Sequence, residues 1–178
     1  MLKFKCHIRG IAPLLFNRFP EEDNPADKPK GKKAVPSKEE QVEKSLYRVD
    51  GKIYTPAEHI VGTMIKAAKT FKLEGKKSFK DVVKGGVFVE PLKIIHEKQA
   101  FTTDWRSTVV PATGGRVMKG RARMDDWELK FDLVCLDERA NAKDLKDILT
   151  YSGAYCGIGD YRPRYGRFEV VSMDEVKS

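Results

Sequence analysis

Cysteine is scarce in this sequence, and no stretch of it reads as a membrane span. Cys6, Cys135 and Cys156 stand far apart in 178 residues. An odd number at such spacing forms neither a disulfide framework nor a zinc-ligand pattern. A reducing, cytoplasmic setting is expected. No apolar run approaches the ~20 residues that a spanning helix needs. The start, Met1-Leu2-Lys3-Phe4-Lys5, alternates instead of carrying the apolar stretch of a secretion signal, so neither membrane nor export is expected. Histidine is scarce too: His7, His59 and His96 form no H-x-x-x-H pattern. There is no nucleophile elbow and no P-loop. No metal, no cofactor and no catalytic residue is expected from motifs. Acidic residues are missing from Trp105 through Met124, a window that holds Arg106, Arg116, Lys119, Arg121 and Arg123.

Positive charge, by contrast, is in excess. Thirty-four Lys and Arg face 26 Asp and Glu, a net +8. Such a balance favours anionic partners, nucleic acid before membrane. The densest signal is Gly157-Ile158-Gly159-Asp160-Tyr161-Arg162-Pro163-Arg164-Tyr165-Gly166-Arg167-Phe168. Glycines let backbone approach a ligand, arginines fork onto phosphate oxygens, and aromatic faces stack on bases. The bland alternative is that the glycines make turns, the tyrosines pack inward and the arginines are solvated.

Periodicity supplies the elements. Leu2, Phe4, Cys6 and Ile8 alternate with Lys3, Lys5, His7 and Arg9, a half-buried strand with one basic face. Residues 11–19 pack on the core as irregular structure. Residues 20–38 are rich in Pro, Lys, Glu and Asp and are expected to be a mobile loop, made basic by Lys28, Lys30, Lys32 and Lys33. A short helix at 39–46 precedes a hairpin turning at Asp50-Gly51, whose residues suit positive φ. Thr55-Pro56-Ala57-Glu58 reads as a capping box opening a helix that runs to about Phe71. Gly62 inside that helix is expected to permit close packing. A second helix over 78–84 leads to a strand at Val87-Phe88-Val89, with Pro91 marking an edge or bend. Residues 102–124 form a projecting β-hairpin with Gly114-Gly115 near its tip. A strand at 127–135, a helix at 142–155 and a last strand from Arg167 to about Met173 complete the order. Stripped of insertions, that order is βαββαβ: an α+β fold, ferredoxin-like or RRM-like, with two helices on one face of an antiparallel sheet. One domain over residues 1–178 is expected.

Ile53-Tyr54-Thr55-Pro56-Ala57-Glu58-His59-Ile60-Val61-Gly62-Thr63-Met64-Ile65 resembles the start of the first helix in RAMP-superfamily proteins. These are the repeat-associated RNA-binding proteins of CRISPR effector complexes. The loop at 157–168 resembles that family's C-terminal glycine-rich loop, and 102–124 sits where its backbone subunits carry a thumb-like hairpin. The family's small hydroxyl pair is replaced here by Glu58-His59. The chain's compactness fits a free-standing relative from a virus or mobile element. The resemblance implies a ferredoxin-like fold and binding of single-stranded RNA with little sequence preference (DNA being the other choice), by subunits that self-associate along the strand. Contacts are expected from Gly157, Gly159, Tyr161, Arg162, Arg164, Tyr165 and Arg167. Support comes from hairpin residues Arg106, Arg116, Lys119, Arg121 and Arg123, from His59 and Lys66 of the first long helix, and from Lys3, Lys5, His7 and Arg9. Some relatives cleave RNA with a histidine near the first helix, so His59 or His7 as general base is one rival reading. A viral structural or interaction module whose basic loop meets an acidic protein is the other.

Overall fold

A computed structural model describes residues 1–18, 37–109 and 113–176. The expected loop at 20–38 lies outside the described residues, except that Ser37 and Lys38 open a helix. Ser37 caps α1 (Lys38–Ser45) in a reciprocal capping box with Glu40.

The centre is a four-stranded antiparallel sheet. Its strands are β1 (Leu2–Gly10), β7 (Val87–Glu90), β11 (Glu128–Cys135) and β12 (Phe168–Glu175), in the spatial order β12-β1-β11-β7. Period-two alternation places Phe4, Cys6 and Ile8 of β1 and Leu129, Phe131, Leu133 and Cys135 of β11 on the buried side. Two helices cover that side. Helix α2 (Ala57–Ala68) buries Ile60, Met64, Ala67 and Ala68, and α4 (Ala142–Tyr151) buries Leu145, Ile148 and Leu149. Helix α4 continues into a π-helical turn, Ser152–Cys156, and not to a regular end at 155. All three cysteines are buried and free. Trp127 is fully buried against Phe168 and donates its indole N–H to the Ala12 carbonyl at 2.9 Å.

Smaller elements attach to this core. Strand β2 (Leu14–Leu15) pairs with β10 (Arg116–Met124), which pairs in turn with β9 (Thr102–Val109). Residues 11–18 are therefore partly strand and not wholly irregular. The hairpin β9–β10 projects only in its outer part, where Val109, Arg116, Val117 and Met118 are exposed. Its base is packed: Asp104, Arg121, Ala122 and Met124 are buried, and α1 bonds to it through the Ser45 hydroxyl, which accepts the Ala122 N–H at 2.8 Å. Strands β3 (Arg48–Val49), β4 (Lys52–Pro56) and β8 (Lys93–Ile95) form another sheet, with Asp50 and Gly51 at positive φ as the turn requires. A small hairpin, β5 (Lys72–Glu74) with β6 (Lys77–Ser78), precedes α3 (Lys80–Gly86). Sequence periodicity did not reveal β5, β6 or β8, which are two or three residues long.

Two expectations about α2 fail. The capping box is absent: Thr55 lies in β4, and its hydroxyl is bonded to His96 Nε2 at 2.8 Å instead of to the helix. Gly62 does not serve packing either, because a Cβ there would meet nothing within 4 Å. The helix also stops at Ala68, three residues before Phe71.

Burial pushes the His96 imidazole down to about 4, from an ordinary value near 6.5. The unfolded chain therefore binds a proton that the folded chain refuses across that interval. Folding stability should fall as pH drops from about 6.5 toward about 4. A urea-denaturation series over this range checks it, with a flatter profile expected for His96→Gln.

Candidate nucleic-acid interface

The glycine-arginine loop is held by its own backbone. After the π-helical turn, Gly157 (φ 69°) donates to the Ser152 carbonyl at 2.8 Å. Ile158 N–H bonds the Gly166 carbonyl at 2.9 Å, Asp160 N–H the Leu15 carbonyl at 2.9 Å, and Gly166 N–H the Pro13 carbonyl at 2.8 Å. A Cβ at Gly157 would stand 2.8 Å from the Tyr165 carbonyl oxygen, and one at Gly159 2.5 Å from that of Leu15. These glycines let the loop fold against itself and against β2. The expectation that they admit a ligand's backbone is thereby corrected: protein backbone already fills the space.

Two of the candidate arginines anchor the loop to the hairpin. Arg121 is 3% exposed and bonds Asp160 through Nε at 2.6 Å. Arg106 pairs with buried Asp104, its Nε lying 2.5 Å from the carboxylate, and donates to the Tyr165 hydroxyl at 2.6 Å. The Arg106 guanidinium lies 5.1 Å from the Tyr161 ring centroid and 4.9 Å from that of Tyr165. The Arg121 guanidinium lies 4.9 Å from the Tyr161 ring. Both tyrosines thus already engage protein cations. Lys119 stands beside this knot, and burial, aided by Arg121, lowers its pKa. Arg116 is exposed toward the hairpin's outer end.

The other loop arginines face outward. Arg162 and Arg164 are exposed and Arg167 half-buried, and no ion pair reaches any of the three among the described residues. Arg164 and Arg167 line a groove of about 680 Å³ with Arg123, Pro13, Ala154, Tyr155, Pro163 and Tyr165. No carboxylate lines it. Arg123 leans partly away, toward Asp125 at 2.6 Å. Tyr155 at the rim is 63% exposed and rests against Tyr151, ring centroids 4.6 Å apart. Tyr155 escaped the sequence reading, although its four-residue spacing from Tyr151 on one helical face was the signal that points to it.

On the other side of the loop, Arg162 approaches α2. Burial lowers the His59 pKa, and the Arg162 charge lowers it further. Burial raises the Cys156 thiol, while Lys66 and Arg162 pull it back. His59, Lys66 and Arg162 therefore share one neighbourhood. Thr63 Oγ1 is buried there without a hydrogen-bond partner among the described residues. The His59 ring stands edge-on to Tyr47.

The β1 candidates are not part of this region. Lys3, Lys5, His7 and Arg9 lie on the open face of the sheet, where three of the four meet carboxylates of neighbouring strands. Lys3 bonds Asp132 at 2.9 Å, His7 bonds Glu128 at 2.7 Å, and Arg9 lies 3.8 Å from Glu169. That face carries balanced charge in place of the basic stripe expected.

No protein-family model matches the chain, and no curated protein does. Solved structures share its fold. The chain aligns over 99% of its length with a subunit in the cryo-EM structure of the type III-B Cmr-beta complex bound to cognate target RNA, with a TM-score of 0.59 and 12% identity. A CRISPR protein from Archaeoglobus fulgidus aligns over 99% of the chain at 12% identity, with a TM-score of 0.43. The chain spans 61% and 65% of those two proteins' own lengths. Among the described residues no helix is long and apolar enough to cross a membrane.

Asp160→Asn should test the knot. It leaves the Arg121 charge buried without its counterion, so a loss of at least about 1–3 kcal/mol is expected in chemical denaturation. Arg162→Ala, on an exposed side chain, should stay within about 0.5 kcal/mol of the parent.

Proposed function

We propose that residues 1–178 form one ferredoxin-like domain that binds single-stranded RNA, mainly through phosphates, as a cytoplasmic ribonucleoprotein subunit of RAMP type that self-associates along the strand. The observation that carries this reading is the groove beside the glycine-arginine loop, which gathers Arg123, Arg164 and Arg167 without a lining carboxylate. Guanidinium forks suit phosphate oxygens, and exposed Tyr155 offers a stacking face for a base. Arg162, His59 and Lys66 extend the positive surface around the loop toward α2. Arg106, Arg121, Tyr161 and Tyr165 hold the loop in place and leave contact to its outward residues. The sheet order, with β1 between β12 and β11 and helices α2 and α4 on one side, supports the ferredoxin-like assignment. The fold shared with a subunit of an RNA-bound complex favours RNA over DNA.

Arg164→Ala with Arg167→Ala should weaken binding to oligoribonucleotides of unrelated sequence by similar factors. For a single strand, each lost phosphate contact removes about 0.7 from the slope of log affinity against log salt, so the pair should remove about 1.4. Fluorescence-anisotropy titrations over a salt series measure this. An unchanged slope would tell against the groove, and tighter binding of DNA than RNA would tell against the choice of partner.

One observation favours a second reading, metal-independent RNA cleavage. Burial and Arg162 keep His59 in the neutral form that can accept a proton from a 2′-hydroxyl. His7, bonded to Glu128, lies away from the loop. We expect labelled RNA to remain intact with the protein in EDTA. Cleavage abolished by His59→Ala would reverse that conclusion.

A further inference from the structure

A second surface of this chain is built to receive something, and it lies apart from the arginine groove. Along the edge strand β7 and helix α2 runs a groove of about 480 Å³ lined by Val61, Gly62, Ile65, Phe88 and Leu92. Phe88 is 48% and Leu92 70% exposed. Glu58 and Glu90 also line it, with Lys84. Gly62 faces this space, where a Cβ would meet nothing within 4 Å. A helix-interior glycine without a neighbour weakens the helix and packs nothing within the chain. It does leave the floor of the groove open to an incoming side chain.

The matching surface is the outer end of the β9–β10 hairpin. Cross-strand register pairs Arg116 with Val109 and Met118 with Ser107, which sets Val109, Arg116 and Met118 on one face. Val109 and Met118 are about half exposed, at 52% and 50%. The opposite face of the same hairpin carries Arg106, Lys119 and Arg121, turned to the glycine-arginine loop. The hairpin tip thus presents two apolar side chains and one arginine to an apolar groove bordered by two glutamates. Both surfaces are exposed within one chain, so they do not meet intramolecularly.

We propose that the α2–β7 groove is the docking site for the hairpin tip of a second copy of this chain, Val109 and Met118 entering the groove over Gly62 and Arg116 pairing with Glu58 or Glu90. Two different patches meet in this contact. Each copy keeps a free hairpin at one end and a free groove at the other, so association extends head to tail and does not close as a symmetric dimer. This deepens the self-association part of the proposed function. It is tested without RNA, so that RNA binding by a strictly monomeric chain would end this inference and leave that reading standing.

The experiment uses the full chain, stripped of nucleic acid by nuclease and high salt. Sedimentation velocity over a concentration series should show species growing beyond the dimer. Val109→Asp with Met118→Asp, and separately Gly62→Trp, should each weaken association at least tenfold while leaving near-ultraviolet circular dichroism unchanged. Because all three native cysteines are buried, engineered thiols give a second readout that does not require bulky substitutions. A Gly62→Cys chain mixed with a Met118→Cys chain should form a disulfide-linked pair under mild oxidation, and neither should do so alone. A monomer at every concentration overturns the proposal. So does self-linking of Gly62→Cys chains, which would mean that the groove pairs with itself, and so does association untouched by the double aspartate variant.

Discussion

The buried pairing of Arg121 with Asp160 is the constraint on which the functional surface depends. A guanidinium taken almost entirely out of water tolerates its position only with a counter-charge at hydrogen-bond distance. Asp160 is the one acidic residue in a loop otherwise rich in arginine. It fixes that loop to the hairpin, and Arg106 between Tyr161 and Tyr165 completes the fastening. The loop's remaining arginines are left to point outward. The division of labour is electrostatic: paired guanidinium groups build the scaffold, and unpaired ones face the solvent beside it.

The sheet shows the same economy. Its basic strand β1 is flanked by β11 and β12, which bring Asp132, Glu128 and Glu169 to Lys3, His7 and Arg9. Surface pairs of this kind add little stability. Their larger effect is to cancel charge on the face opposite the helices. The positive character of the loop region therefore stands out by contrast, not through the chain's overall excess alone.

Local patterns in the sequence carried most of the framework. Alternation in β1 and β11, the Asp50-Gly51 turn and the helical spacing of Ile60, Met64 and Ala67 each act within a few residues, and each was readable. What stayed hidden depends on partners distant in sequence. Thr55 looked like a helix cap because nothing nearby announces His96, 41 residues away, as the owner of its hydroxyl. The acid-free window from Trp105 to Met124 looked wholly available for polyanions. Asp104 stands one residue outside it and claims Arg106, and Asp160, 39 residues away, claims Arg121. The loop's position as a feature was legible in its glycines. Their role was not, since the backbones of Leu15 and Tyr165 that crowd them come together only on folding. Gly62 misled in the opposite sense: composition implied a neighbour, and the fold provides open space.

The two tryptophans divide between these regions. Trp127 is sealed in the main core against Phe168, whereas Trp105 lies in the hairpin, against Gly120 and beneath the Lys38 ammonium at 5.2 Å. Each region therefore carries its own intrinsic fluorophore, one in a dry setting and one near a cation at the edge of solvent. With either indole replaced by phenylalanine, the emission of the other reports separately on the core or on the arm that clasps the loop, without an attached dye.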